Sequence, residues 1–123
     1  MLRNLRHTLI DKTYRVRDEQ KKINCPHPDY EHTFIVLPKE WLGEHVIRKD
    51  AALEIINKQH KSGDISNFAA AMAIVDDWGN IPGMEKRRPD EWDMAKVPVP
   101  IIAWVINEVL EDFAAAYKVP KVS

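Results

Sequence analysis

The apolar positions of this chain fall into three stretches of helical spacing, preceded by a region of strand-like spacing. From Pro38 to about Gln59, Leu42, His45/Val46, Lys49, Leu53 and Ile56 recur three and four residues apart. This stripe has one basic interruption and predicts an amphipathic helix with Pro38 near its first turn. Ser62-Gly63-Asp64 ends that helix and prepares the next. The second predicted helix covers about 66–78, with Ser66 as its cap and Gly79 as its stop. Its face is Phe68, Met72, Val75 and Trp78, and Ala69-Ala70-Ala71 permits close helix approach. The third begins at Pro100 and runs to Tyr117, ahead of Pro120. Ile102, Val105/Ile106, Val109 and Phe113 make it the strongest amphipathic pattern in the chain, opposite Asn107, Glu108, Glu111 and Asp112.

Before Pro38 the period changes. Leu2, Leu5 and Leu9 have helical spacing over one short stretch, whereas Thr13-Tyr-Arg-Val-Arg17 alternates like a strand. Asn24-Cys-Pro-His-Pro-Asp29 carries two prolines and reads as a loop. Thr33-Phe-Ile-Val-Leu37 is a compact β-prone run stopped by Pro38. Residues 12–18 and 32–37 are therefore expected to pair as a short antiparallel hairpin, which must rest on the helices to be stable. The predicted fold class is mainly α: a small helical domain of three main helices with a short N-terminal β-hairpin. Residues 1–123 form a single domain in this reading, with 1–37 its irregular, β-prone part and 38–123 its helical core. Residues 79–99 form a long connection, and no internal repeat or low-complexity tract is visible.

Composition narrows the function classes. The chain has 123 residues, 45% of them apolar, enough for one sizeable core and too many for a disordered tail. Its 18 basic and 19 acidic residues leave a formal net charge of −1, so no overall field holds DNA or an anionic membrane. No apolar run approaches a membrane span. The N-terminus lacks the apolar core of a secretion signal, and one cysteine, Cys25, excludes a disulfide framework. A soluble, intracellular domain is expected. The charge is nevertheless uneven. Arg3, Arg6, Lys12, Arg15, Arg17, Lys21 and Lys22 crowd the first 22 residues, whereas Asp90, Glu91, Asp93, Glu108, Glu111 and Asp112 face a single Lys96 in 90–112. Such segments are either solvated faces or complementary ends that meet between subunits or on a partner.

The usual catalytic constellations are missing. Cys25, His27 and His32 spell C-x-H-x4-H, but a structural zinc site wants four ligands and there is no second cysteine. Nothing in the pattern around Cys25 provides a helix N-terminus or oxyanion hole for a thiol nucleophile. Asp76 and Asp77 are neighbours on a predicted helix and diverge by about 100°, so they cannot share a proton or grip one ion, and solvent contact or a salt bridge to the Arg87-Arg88 loop is expected rather than catalysis. The four glycines stand apart, and G-x-S-x-G, H-E-x-x-H and C-x-x-C do not occur. No catalytic, cofactor-binding or metal-binding residue is assigned. The chain reads as a non-enzyme.

Trp41, Trp78, Trp92 and Trp104 all flank predicted element ends, where a large ring pins a loop to a core. Trp92 lies in a connection longer than a compact domain normally keeps, so it is also a candidate anchor for a partner.

Residues 68–123 bring these features together. An alanine-rich helix ends in Asp-Asp-Trp-Gly (76–79), a Trp-containing loop IPGMEKRRPDEWDM follows, and Val-Pro-Val-Pro leads into the amphipathic helix 101–117. With Leu37-Pro-Lys-Glu-Trp-Leu-Gly43 ahead of a charged helix, this layout resembles the tail assembly chaperones of long-tailed bacteriophages. The motifs are diffuse, cover about the C-terminal two-thirds, and leave 1–22 unmatched. The resemblance implies a non-catalytic protein of the bacterial host cytoplasm that binds the tape measure protein and helps recruit major tail protein subunits. It also implies self-association and a frameshifted longer product, and Pro120-Lys121 can be encoded by a C-run followed by an A-run, on which such a shift would occur. Ile101-Ile-Ala-Trp-Val-Ile106 is wider than one stripe, and the expected partner-binding residues are Trp92, Ile101, Trp104, Val105 and Val109. Two rivals are a virion structural subunit, such as a connector or minor tail protein, and a small helical DNA-binding regulator built on the 61–64 turn. Against the regulator, the helix after that turn carries no Lys or Arg.

Overall fold

The protein is known from a computed structural model, which describes residues 17–61 and 63–117. The predicted first strand, the Leu2/Leu5/Leu9 stretch and the tail after Tyr117 fall wholly or mostly outside these residues. The chain is mainly helical, with three strands forming a small antiparallel sheet in the order β1-β2-β3. β1 is Lys21–Asn24, β2 is Phe34–Leu37 and β3 is Asp77–Gly79. The 32–37 run is thus a strand, but its hairpin partner is 21–24 rather than 12–18. Lys21 faces Leu37 and Asn24 faces Phe34, and the Cys25 N–H extends the ladder to Thr33 O at 2.9 Å. β2 alternates as a half-buried strand should: Ile35 and Leu37 are sealed in the core, whereas Phe34 and Val36 lie on the outer face. There, the Lys22 ammonium sits 4.4 Å from the centre of the Phe34 ring.

α1 spans Gly43–Asn57, α2 Gly63–Ile74 and α3 Val99–Val105. α3 continues through a π-helical stretch, Ile106–Leu110, into α4, Glu111–Ala115. α1 starts five residues later than the sequence predicts. The carbonyls of Pro38 and Lys39 accept hydrogen bonds from Arg17 instead of joining a helix, and Trp41 turns into the core. The helix opens where the Leu42 N–H donates to His45 Nδ1 at 2.9 Å. α2 begins before Ser66, so Ser66 is not its cap; its hydroxyl donates to Asn57 Oδ1 at 2.6 Å and ties α2 to the end of α1.

α2 also ends four residues earlier than the periodicity implies. After Ile74 the backbone straightens, the Asp76 N–H donates to Val36 O at 2.8 Å, and Asp77–Gly79 joins the edge of β2. Phe68, Met72, Val75 and Trp78 are all buried as expected, but a helix buries the first two and the turn into a strand the others. Gly79 is required at its position opposite Phe34, since a Cβ there would enter the Phe34 ring. Asn80 then takes the left-handed conformation (φ 59°), its side chain donating to His32 O while its own carbonyl accepts from Thr33 Oγ1.

One core runs from the inner face of the sheet through α1 and α2 to α3 and α4. The long connection 79–99 is not loose. Two 3₁₀ turns, Pro89–Glu91 and Met94–Lys96, fold it back so that Ile81, Met84, Trp92, Met94 and Val97 enter the core. None of the described helices is long and apolar enough to cross a membrane.

Candidate functional site

The sequence nominated the wide apolar surface of the C-terminal helix for partner binding. The structure places those residues elsewhere. Trp92 is 6% exposed, Trp104 8%, and Ile101, Val105 and Val109 are fully buried. Their surface is already occupied by the domain's own core, which corrects the expectation that they face a partner. The large apolar side chains that remain exposed along this segment are Val99 and Tyr117, with Ile102, Ile106 and Leu110 half-buried between them.

An open groove lies instead between α1, α2 and the end of β3. On α1, Arg48, Ala51, Ala52 and Ile55 recur at i, i+3, i+4 and i+7, one continuous face of a helix. Met72, Ala73 and Val75 contribute the facing wall, and Trp78 with Pro89 closes one end. The connection between α1 and α2 is short, so the two helices lie side by side, and small alanines on both keep the space between them open. The cavity measures about 480 Å³.

The rim is ionic. The Arg87 guanidinium stacks 4.2 Å from the centre of the Trp78 ring, pairs with Asp77 Oδ1 at 2.9 Å and donates to Trp78 O at 3.2 Å. Of the two alternatives for the Asp76-Asp77 pair, solvent contact or a salt bridge to the Arg87-Arg88 loop, Asp77 therefore takes the second, with Arg87. Asp76 accepts from Gln20 Nε2 at 2.6 Å, which fixes the chain before β1 to the groove's edge. Arg88 turns away to Asp90. A second, more polar recess of about 440 Å³, lined by Gly79, Asn80, Pro82 and Glu85, lies on the far side of Trp78 and Arg87.

The other candidates are dispersed. Cys25 is buried, His32 is exposed beside Glu31, and His27 accepts from the Asp29 N–H while its ring leans on Tyr30. Among the described residues no three His, Cys, Asp or Glu side chains are grouped to hold a metal ion. The helix after the 61–64 turn, α2, buries Phe68 to Met72 and Ile74, and its exposed positions are Gly63, Asp64 and Asn67. It therefore has no basic face to lay in a DNA groove.

The groove was not singled out in the sequence, although its α1 half was readable there. Arg48, Ala52 and Ile55 each lie one position before a member of the stripe that predicted the helix, and the two alanines, Ala51 and Ala52, give a weak hydrophobic signal. The other half depends on β3 and on Arg87 folding back over Trp78, contacts between distant parts of the chain. No family model, curated protein or solved structure matches this chain.

Proposed function

We propose that the protein is a non-catalytic tail assembly chaperone of a long-tailed bacteriophage, which binds a helical segment of the tape measure protein and promotes assembly of the tail tube. The observation that carries this reading is the groove between α1 and α2. Its floor is apolar, its walls include Ala51, Ala52 and Ala73, and its rim offers both signs of charge through Arg48, Asp76 and Arg87. An amphipathic helix buries apolar side chains in such a groove and pairs its flanking charges with the rim. Small wall residues let the client backbone approach closely. The groove presents no arrangement of nucleophile, base and oxyanion donors, so its chemistry is that of binding.

The test is co-expression with the tape measure protein of the same phage. The unaltered chain should hold that protein in solution and co-purify with it, whereas Ile55→Glu should fold normally and lose the complex. Purified particles should lack the protein. Its presence in them at fixed stoichiometry would replace the chaperone reading with that of a virion structural subunit, such as a connector or minor tail protein.

A further inference from the structure

The groove between α1 and α2 has a direction as well as a lining. α2 turns back along α1 after their short connection, so the end of α2, and Trp78 beyond it, come beside the first half of α1. Arg48 is the earliest groove residue on α1, and Arg87 stacks on Trp78. Both guanidinium groups therefore stand at the end that Trp78 and Pro89 close. Ile55 marks the opposite end.

Hydrogen-bond donors are in surplus at the closed end. Arg48 is exposed and makes no ion pair or hydrogen bond with another described residue. Both bonds of Arg87, to Asp77 Oδ1 and to Trp78 O, run from Nη2, which leaves Nη1 and Nε for another acceptor. The carboxylates beside them are engaged. Asp77 Oδ1 also accepts the Trp78 N–H at 2.8 Å, and Asp76 Oδ2 takes Gln20.

A helix lying in the groove has to start or stop where the groove is closed. Its C-terminal end presents four carbonyls without intrahelical partners and the negative pole of the helix dipole; its N-terminal end presents N–H groups and the positive pole. Two guanidinium groups with unused donors attract the first and repel the second. We infer that the bound helix runs antiparallel to α1, with its C-terminal turn, carrying an Asp or Glu, against Arg48 and Arg87. The inference rests on the reading of the groove as a client site, and adds to it the direction of the client and the charge of its last turn. Charge complementarity selects this occupant: a reversed helix, or one with a basic last turn, would set like charges together and leave Arg48 unpaired.

The experiment takes the full chain and overlapping peptides that tile the tape measure protein of the same phage, with affinity read by fluorescence anisotropy. A nitroxide at the C-terminal end of the tightest-binding peptide should broaden the Trp78 indole N–H signal in NMR. One at its N-terminal end should broaden the Ile55 methyl signals instead. Arg48→Glu should weaken that peptide at least about tenfold, with an unchanged thermal unfolding midpoint. Replacing the acid of the peptide's last turn by Lys should weaken binding to the parent chain. The same peptide on Arg48→Glu should return to within about twofold of the original affinity. The reversed pattern of broadening, or equal affinities for the parent and Arg48→Glu, would overturn the inference while the groove keeps its client. Peptides that bind the parent no better than the Ile55→Glu chain would remove the groove reading itself, and the inference with it.

Discussion

Trp78 and Trp92 meet edge to face, their ring centres 6.0 Å apart, and each donates its indole N–H to a carbonyl of the chain that joins them. Trp78 Nε1 bonds Met84 O at 2.8 Å and Trp92 Nε1 bonds Lys86 O at 2.9 Å. The long connection 79–99, which has no long helix of its own, is thereby stitched to the core. Trp92→Ala should remove a buried ring and its hydrogen bond together. It should lower stability by about 3–5 kcal/mol in chemical denaturation. Unchanged stability would mean that the connection is held by other contacts.

Asp112 is the acceptor for two groups from distant parts of the chain, Arg17 and Trp41. Asp112→Ala leaves a half-buried guanidinium and an indole N–H without their partner, and should cost about 2–4 kcal/mol. Asp112→Asn keeps an oxygen for one donor and should lose roughly half as much. Equal losses in urea unfolding would show that the carboxylate's packing, not its pairing, matters.

Gly79 tests the sheet. A Cβ at this position meets the Phe34 ring, so Gly79→Ala forces that ring aside and should destabilise by about 1–3 kcal/mol. Phe34→Ala in the same chain should make the alanine at 79 better tolerated than in the parent, by thermal unfolding. Additive losses would count against the contact.

Self-association is expected through the outer side of the C-terminal helix, where half-buried Ile102, Ile106 and Leu110 continue into exposed Val99 and Tyr117. Ile106→Glu should leave a folded monomer. Val105→Asp should unfold the domain instead, since Val105 is fully buried. A concentration-independent monomer of the parent chain in sedimentation would dispose of the interface.

The helices were legible because their stripes are long and their stops are glycines and prolines. Their ends were less so. Asp77-Trp78-Gly79 is three residues long and continues the burial rhythm of the helix before it, so nothing local marks it as a strand. Its identity is decided by Val36 O, which accepts the Asp76 N–H, and by the room that Gly79 leaves for Phe34. Lys21–Asn24 has a single apolar residue, Ile23, and pairs because β2 offers it a ladder. The burial of all four tryptophans agrees with their reading as rings that staple loops to a core. The width of Ile101–Ile106 misled as evidence of a partner surface. A helix that lies against α2 on one side and the aromatic group of Trp41, His45 and Phe113 on another needs that width for itself.

The π-helical stretch explains a regularity in the last helix. Ile101, Val105, Val109 and Phe113 all face inward at strict intervals of four, a spacing that drifts by about 40° per step in an ordinary α-helix. The wider turns of Ile106–Leu110 absorb that drift. The helix therefore behaves as two gears held in mesh by one extra tooth. Wind the same residues as an ordinary α-helix and Phe113 turns roughly 80° off the inward face relative to Val105. Phe113 would then leave Trp41, and Asp112 would leave Arg17. Deleting one residue as the wide turn closes restores the register instead, because seven steps of about 100° return to within roughly 20° of two full turns.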